Sequence, residues 1–361
     1  MLITAYWVLT CLMISATVLP LSHMGAWWIR DLDFPRLHFV IISFIVGIAA
    51  CLTLDISHIY TKLIIAIHII CFSYHAYWIL PYTIFFPKSV AKSKYDNTKN
   101  SISLFSSNVL TPNKNTQALK DLIAEYKPNI LVTLETDKRW QAALDELKVD
   151  YPYTVACPQD NLYGMHVYSN LPLENTRIEF LIEDNIPSIH ACIKHPSGAK
   201  IRAHFLHPAP PSPTENASSS ERDAELIVVA KSLASDDGPI IVTGDLNDVA
   251  WSKSTQIFRR LSNLQDPRIG RGMFNTFHAD HWFLRWPLDH IFHSKHFTVE
   301  EIKRVYLEGS DHFALYSRLQ LEVNPNESTP INTEVTEDDR ELIKRRETEQ
   351  NSANKKVHNP T

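Results

Sequence analysis

Hydrophobic positions are unevenly spread along the chain. Three runs in the first part, 2–22, 38–54 and 63–87, contain no Asp, Glu, Lys or Arg. A hydrocarbon core ~30 Å thick needs about 20 apolar residues in a helix, the one single-segment structure that satisfies its own backbone there. The runs therefore predict three transmembrane helices. A signal peptide is the competing reading of the first run. That run lacks a basic start and a small-residue cleavage site, and two more apolar runs follow it. Trp27, Trp28, Trp78 and Tyr82 fall near the span ends, where aromatic belts form. His68 and His75, inside the third run, read as tolerated interface residues rather than as an intramembrane site.

Beyond residue 100 the period changes. ISLFSS (102–107) alternates by two, as a half-buried strand does, and NILVTLE (129–135) is an apolar run of strand length. Further strands are expected near 151–156, 164–169, 188–194, 200–206, 239–244, 288–293 and 313–321. Helical spacing predicts helices at 115–126, 219–235 and 252–262. Strands outnumber helices, so the class is α/β or α+β with sheets packed face to face. The resulting plan is a transmembrane region 1–87, a polar linker 88–100, a globular domain 101–322 and a tail 323–361. The tail is charged and poor in large apolar residues, so it is read as disordered, with a transient helix at 337–349.

Charge narrows the function. Residues 101–322 hold 22 basic and 28 acidic residues, which argues against a surface that coats nucleic acid. Cys157 and Cys192 form neither a close metal-ligand pair nor a disulfide framework. Arg30, Arg36, Lys88, Lys92, Lys94 and Lys99 flank the spans on the domain's side, against Lys62 on the other. The positive-inside rule then puts the domain of this multi-pass protein on the cytoplasmic side.

Chemistry-bearing residues recur where strands end. They are Asn108, Glu135, His207, the Asp245 and Asn247 of GDLND, Asp289 and the Ser310-Asp311-His312 run. Alone, each fragment has a bland reading as a cap, a turn or a core polar group, since Gly, Asp and Asn are turn residues. Together and in this order they resemble the endonuclease/exonuclease/phosphatase superfamily over 101–322. SSNVL, LVTLET, GMHVYSNLPL, LHP, GDLND, PLDHIF and GSDHFAL carry the match, with Leu206 where the superfamily has a Thr. WSKSTQIFRRL and the apolar N-terminus are similar to its bacterial membrane-anchored YafD-like branch.

The resemblance implies two face-to-face sheets flanked by helices, a four-layer sandwich, and a metal-dependent hydrolase acting on phosphate esters. Oxygen-rich Glu135, Asn108 and Asp311 suit Mg²⁺, with Mn²⁺ as the alternative. Asp245 is the general-base candidate and Asn247 orients it or the phosphate. His312 donates to a phosphate oxygen, Asp289 holds its other nitrogen, and His207 stands near the leaving group. His204 shares a strand with His207 at odd spacing, so the two face opposite ways. His290 and His166 read as structural.

The expected substrate is a phosphate ester: a lipid headgroup, a nucleic acid or a small phosphate. The expected surroundings are a membrane, by resemblance the bacterial inner membrane, with no obligate protein partner evident. Lys253, Arg259, Arg260, Arg268, Arg271 and Arg285 keep a nuclease in view, against the simpler reading of a solvated surface. A catalytically idle scaffold on a membrane anchor is the alternative from another class. A transporter is disfavoured, because uncharged spans offer no pathway.

Overall fold

The computed structural model describes residues 1–93, 98–234, 236–322 and 334–361. The apolar runs form α1 (Leu2–Val18), α3 (Arg36–Thr53) and α4 (Ile59–Ile79), with the short α2 (Trp27–Arg30) between the first two. Three helical stretches, Leu2–Ser22, Arg36–Thr53 and Ile59–Tyr82, are long and apolar enough to cross a membrane. Their polar groups face each other. Thr10 Oγ1 pairs with His68 Nε2 at 3.2 Å and Thr17 Oγ1 with His75 Nε2 at 3.0 Å, tying α1 to α4 as polar glue does between apolar helices.

The globular part is built on eleven strands among the described residues. β1 (Ser101–Asn108), β2 (Ile130–Leu134), β3 (Tyr153–Cys157), β4 (Met165–Ser169), β10 (Phe297–Tyr306) and β11 (Phe313–Leu321) make a sheet ordered β10-β11-β1-β2-β4-β3. β5 (Leu173–Glu179), β6 (Ser188–Lys194), β7 (Lys200–Leu206), β8 (Ile240–Asp245) and β9 (Asp289–His293) make the other, ordered β5-β6-β7-β8-β9. The inward positions of both sheets, among them Leu104, Val132, Val167, Ile201, Phe205 and Ile241, form one buried cluster between them. Helices α5 (Thr116–Tyr126) and α6 (Lys138–Leu144) cover the outer face of the first sheet. Helices α7 (Ser220–Leu233) and α8 (Lys253–Ser262) cover that of the second. The result is the four-layer arrangement of helix, sheet, sheet and helix.

Parallel pairing occurs between β1 and β2 and between β7 and β8, each joined by a helical crossover. In register, Asn108 lies beside Leu134, Leu206 beside Gly244, and Asp245 beside Asp289. The strand ends that carry the candidate residues therefore share one edge of the sandwich.

Two segments depart from the sequence reading. Residues 90–93 are no free linker: Val90 is buried in the main core, and Ser93 N donates to Val299 O at 3.0 Å, adding an edge to β10. Lys94 and residues 323–333 lie outside the described residues. The disordered-tail reading is corrected for 337–349, which forms helix α9 (Glu337–Glu349) with a capping box at Thr336. Leu342 and Ile343 pack on Ile227 and Ile257, and Arg346 Nε reaches Asp223 Oδ2 at 3.0 Å. Composition pointed elsewhere because the tail's charges, apart from these contacts, look free. In the fold they meet partners: Asp339 takes Lys253 at 2.8 Å and Arg260 at 2.7 Å.

The N-terminal helical region is knitted to the domain. Trp27 N donates to Ala217 O at 3.1 Å, Ser219 N to Gly25 O at 2.8 Å, and Trp251 Nε1 to Asp33 O at 2.7 Å. Tyr82 Oη, at the end of α4, donates to Ala250 O at 2.6 Å.

Candidate active site

Asn108 ends β1 and is buried. Its Nδ2 donates to Glu135 Oε1 at 2.8 Å and to Asp245 Oδ2 at 3.3 Å, bridging the two sheets. Ser310 Oγ donates to the Asn108 carbonyl at 2.8 Å and accepts from His312 N at 3.0 Å, which fixes the turn before β11. Glu135 follows β2 with φ 61°, and Asn247 has φ 51°. Left-handed backbone at a non-glycine residue costs energy and gathers at functional sites. Thr111 Oγ1 holds the turn by donating to Glu135 O at 2.7 Å.

Gly244 sets the approach of β8 to β7. Its φ is 148°, and a Cβ there would stand 1.9 Å from Leu206 O, so no larger residue fits. That closeness puts Asp245 beside His207, with 3.9 Å between Asp245 Oδ2 and His207 Nε2. Asn247 N donates to Asp245 Oδ1 at 2.9 Å, and Asn247 Nδ2 donates to Pro208 O at 3.0 Å.

His312 sits between two acids. Its Nδ1 donates to Asp289 Oδ2 at 2.8 Å, and its Nε2 faces Asp245 Oδ2 at 3.6 Å. Burial pulls its pKa down, but Asp289, Asp245 and the hydrogen bond outweigh burial and push it up to about 10. His207 goes the other way: burial dominates over Asp245 and lowers it to about 4. At neutral pH one histidine is a cation and the other is neutral, the divergence that separates roles in a site. Burial also raises Glu135 to about 7; the Asn108 hydrogen bond opposes this, while Asp311 and Asp245 add to it. Asp311 Oδ1 is buried with no hydrogen-bond partner.

Glu135, His207, Asp245, Asn247, Asp311 and His312 line a cleft of about 270 Å³ with Tyr163, Phe277 and, from the segment joining α1 to α3, Asp31 and Phe34. No Lys or Arg is among the described residues that line it.

The chain's sequence over residues 104–312 matches the model of the Endonuclease/Exonuclease/phosphatase family. The chain belongs to this family. No curated protein matches the chain in sequence. The human Nocturnin catalytic domain with bound sulfate is similar in fold, at 18% identity and TM-score 0.51, covering 62% of this chain and 96% of that one. The zebrafish (D. rerio) TDP2 complexed with single-strand DNA product is 17% identical with TM-score 0.49, covering 61% of this chain and 99% of that one. A family member from Beutenbergia cavernae is 15% identical with TM-score 0.49, covering 62% and 72%.

All eight residues singled out in the sequence, Asn108, Glu135, His207, Asp245, Asn247, Asp289, Asp311 and His312, gather at this edge of the family's sandwich. His204 points away and pairs with His190 at 2.6 Å. His290 is structural, donating to Asp248 O at 2.8 Å beside Arg268. His166 is buried next to Tyr168. Most of the basic stretch is engaged internally: Arg268 pairs with buried Asp266 at 2.8 Å, Lys253 and Arg260 with Asp339, Arg285 donates to His278 O at 3.1 Å and Arg271 to Val90 O at 2.7 Å, while buried Arg259 bonds Gln256 through Nη1 and leaves Nε and Nη2 unpartnered. Sequence reasoning missed Tyr163, whose ring centroid lies 5.2 Å from that of His207, and Phe277, 4.9 Å from His312. It also missed Asp31 and Phe34, for which no local pattern signals a contact with the domain.

Proposed function

We propose that the chain is a membrane-anchored, Mg²⁺-dependent phosphoesterase that hydrolyses a phosphodiester or phosphomonoester. One observation carries the reading: His312, hydrogen-bonded to Asp289 behind it, lines one cleft with the carboxylates Asp245, Glu135 and Asp311. Buried carboxylates need a counter-charge. The raised Glu135 and the orphaned Asp311 oxygen fit a divalent cation held by these two carboxylates; Asn108, expected as a third ligand, instead turns its Nδ2 to Glu135 while its Oδ1 accepts from Leu110 N at 3.1 Å, so it orients Glu135. When bound, Mg²⁺ would neutralise phosphoryl charge and stabilise the leaving oxygen. Asp245, Asp289 and His312 also lie close enough to hold a metal. In that trio one His312 nitrogen is already engaged, Nδ1 donating to Asp289 Oδ2 at 2.8 Å, which leaves Nε2 to face the cleft.

The residues divide the work. Asp245 takes the proton of the water that attacks phosphorus, and Asn247 N holds the opposite carboxylate oxygen. The bond from phosphorus to the leaving oxygen breaks, and that oxygen departs as the alkoxide or phenoxide and takes a proton from solvent water, Asp245 returning its own proton to solvent. The His312 imidazolium holds charge against a phosphoryl oxygen. Neutral His207 offers a hydrogen bond without adding charge. The absence of Lys and Arg from the described lining, and the internal pairing of most of the basic stretch, support a substrate with little negative charge over a nucleic acid. Six basic residues on the domain's side support a cytoplasmic cleft on a bacterial inner membrane. Full-length protein in detergent should hydrolyse bis-p-nitrophenyl phosphate with Mg²⁺ and stop on chelation. Chelator-resistant turnover would refute the metal, and no turnover on any phosphate ester would refute the enzyme.

A further inference from the structure

The cleft does not end at the catalytic residues. Phe34, one of its walls, is also a wall of a second, largely apolar groove of about 320 Å³, at the small end of the ~300–1,000 Å³ usual for ligand sites. The groove runs between the first turns of α3, at Leu37 and Ile41, and the domain residues Trp251, Met273 and Trp286. α3 is one of the helices apolar enough to cross a membrane, and its outward residues Ile41, Phe44, Ile45 and Ile48 are exposed. Beside it, a loop of the domain exposes Trp282 at 80% and Phe283 at 52%. His38 Nε2 donates to Phe283 O at 2.6 Å, so the loop is fastened to the anchor. Exposed aromatics next to a spanning helix sit where aromatic belts form. Arg285, the one strong cation among the described residues of the groove wall, donates to the His278 and Ala279 carbonyls.

Resting on the phosphoesterase reading above, we propose that the substrate is a membrane lipid phosphate ester, with its phosphate in the cleft and a hydrocarbon chain in the groove along α3. Phe34 is a wall of both, so the cleft and the groove are direct neighbours. The membrane helix that forms one wall opens the groove to where such chains reside. Charge agrees: the cleft holds Asp31 and Glu215 besides the catalytic acids and no Lys or Arg among its described lining. It therefore suits a headgroup with no negative charge beyond the phosphate. Asp31 and Phe34 make the anchor a part of the binding site, not only a tether.

The test uses full-length protein in nanodiscs and p-nitrophenyl alkyl phosphodiesters with one to eight carbons, all below their micelle concentrations. Each buried methylene is worth ~0.8 kcal/mol, so kcat/KM should rise about ten-fold or more across the series. Leu37→Trp from the anchor side and Met273→Trp from the domain side narrow the groove. Each should collapse the long-to-short ratio towards one. Inhibition by alkyl phosphonates of the same lengths should follow the same trend in the unmodified protein, a readout that needs no variant to fold. Hydrolysis of the whole series with a flat ratio and flat inhibition would overturn this proposal and leave the phosphoesterase reading standing. No hydrolysis of any member would sink both.

Discussion

His312 Nδ1 stands 2.8 Å from Asp289 Oδ2, and both residues are buried at facing strand ends. The geometry makes Asp289 the group that keeps His312 charged. Asp289→Asn should lower the His312 pKa and bring the alkaline limb of the kcat profile down from near the value of about 10. The pair also bears on stability. A base raised from 6.5 to about 10 contributes fully below pH 6.5 and loses that contribution as pH climbs through 10. His312→Ala and the double variant should cost nearly the same rate, because the two act as one unit. Fully additive losses would show that they act apart.

Glu135 tests the metal assignment. Glu135→Gln keeps the shape and the Asn108 contact but removes the charge. Activity should fall by about 10²-fold or more, with thermal melting close to that of the unmodified protein. Isothermal titration should show weaker Mg²⁺ binding. Unchanged binding would move the metal elsewhere.

Glu225 is a buried acid on α7 away from the cleft, with Oε1 unpartnered. Burial, with help from Glu183, raises its pKa to about 8. An acid that binds its proton more tightly when folded costs stability as pH rises from 4.5 through 8. Glu225→Gln should therefore stabilise the protein at pH 8 by an amount on the order of a few kcal/mol and change little at pH 4. Melting curves in detergent at both values check this; equal shifts would contradict it.

Helix α9 is the fourth test. Leu342 and Ile343 are 3% and 6% exposed against α7 and α8. Removing 334–361 should lower the melting temperature, since each buried side chain is worth ~1.5–3 kcal/mol. A truncation with unchanged melting would restore the disordered-tail reading.

The strands that were legible in the sequence are those with a clear inward face, such as ISLFSS and NILVTLE. Two strands were not. β5 (LENTRIE) is an edge strand exposed along most of its length, and β10 (FTVEEIKRVY) carries charge on its outer positions. Helix α6 spans only seven residues, too short for a period to show. The site was legible because its residues follow apolar runs that end in turns. Asp31, Phe34, Tyr163 and Phe277 were not, because their roles depend on which distant segments meet. The α9 contacts were hidden for a related reason: a charged helix looks solvated until its partners, Lys253 and Arg260, are known.

The central claim is that Asp245, held by Gly244 and Asn247 over the cleft, activates the attacking water. Its most direct test is the kcat of Asp245→Asn on bis-p-nitrophenyl phosphate at saturating Mg²⁺, beside His204→Ala as a control outside the cleft. Loss of a positioned base should lower kcat about 10²–10⁴-fold with little change in KM, while His204→Ala keeps its turnover. Near-normal kcat in Asp245→Asn together with loss in His204→Ala would contradict the assignment of the site.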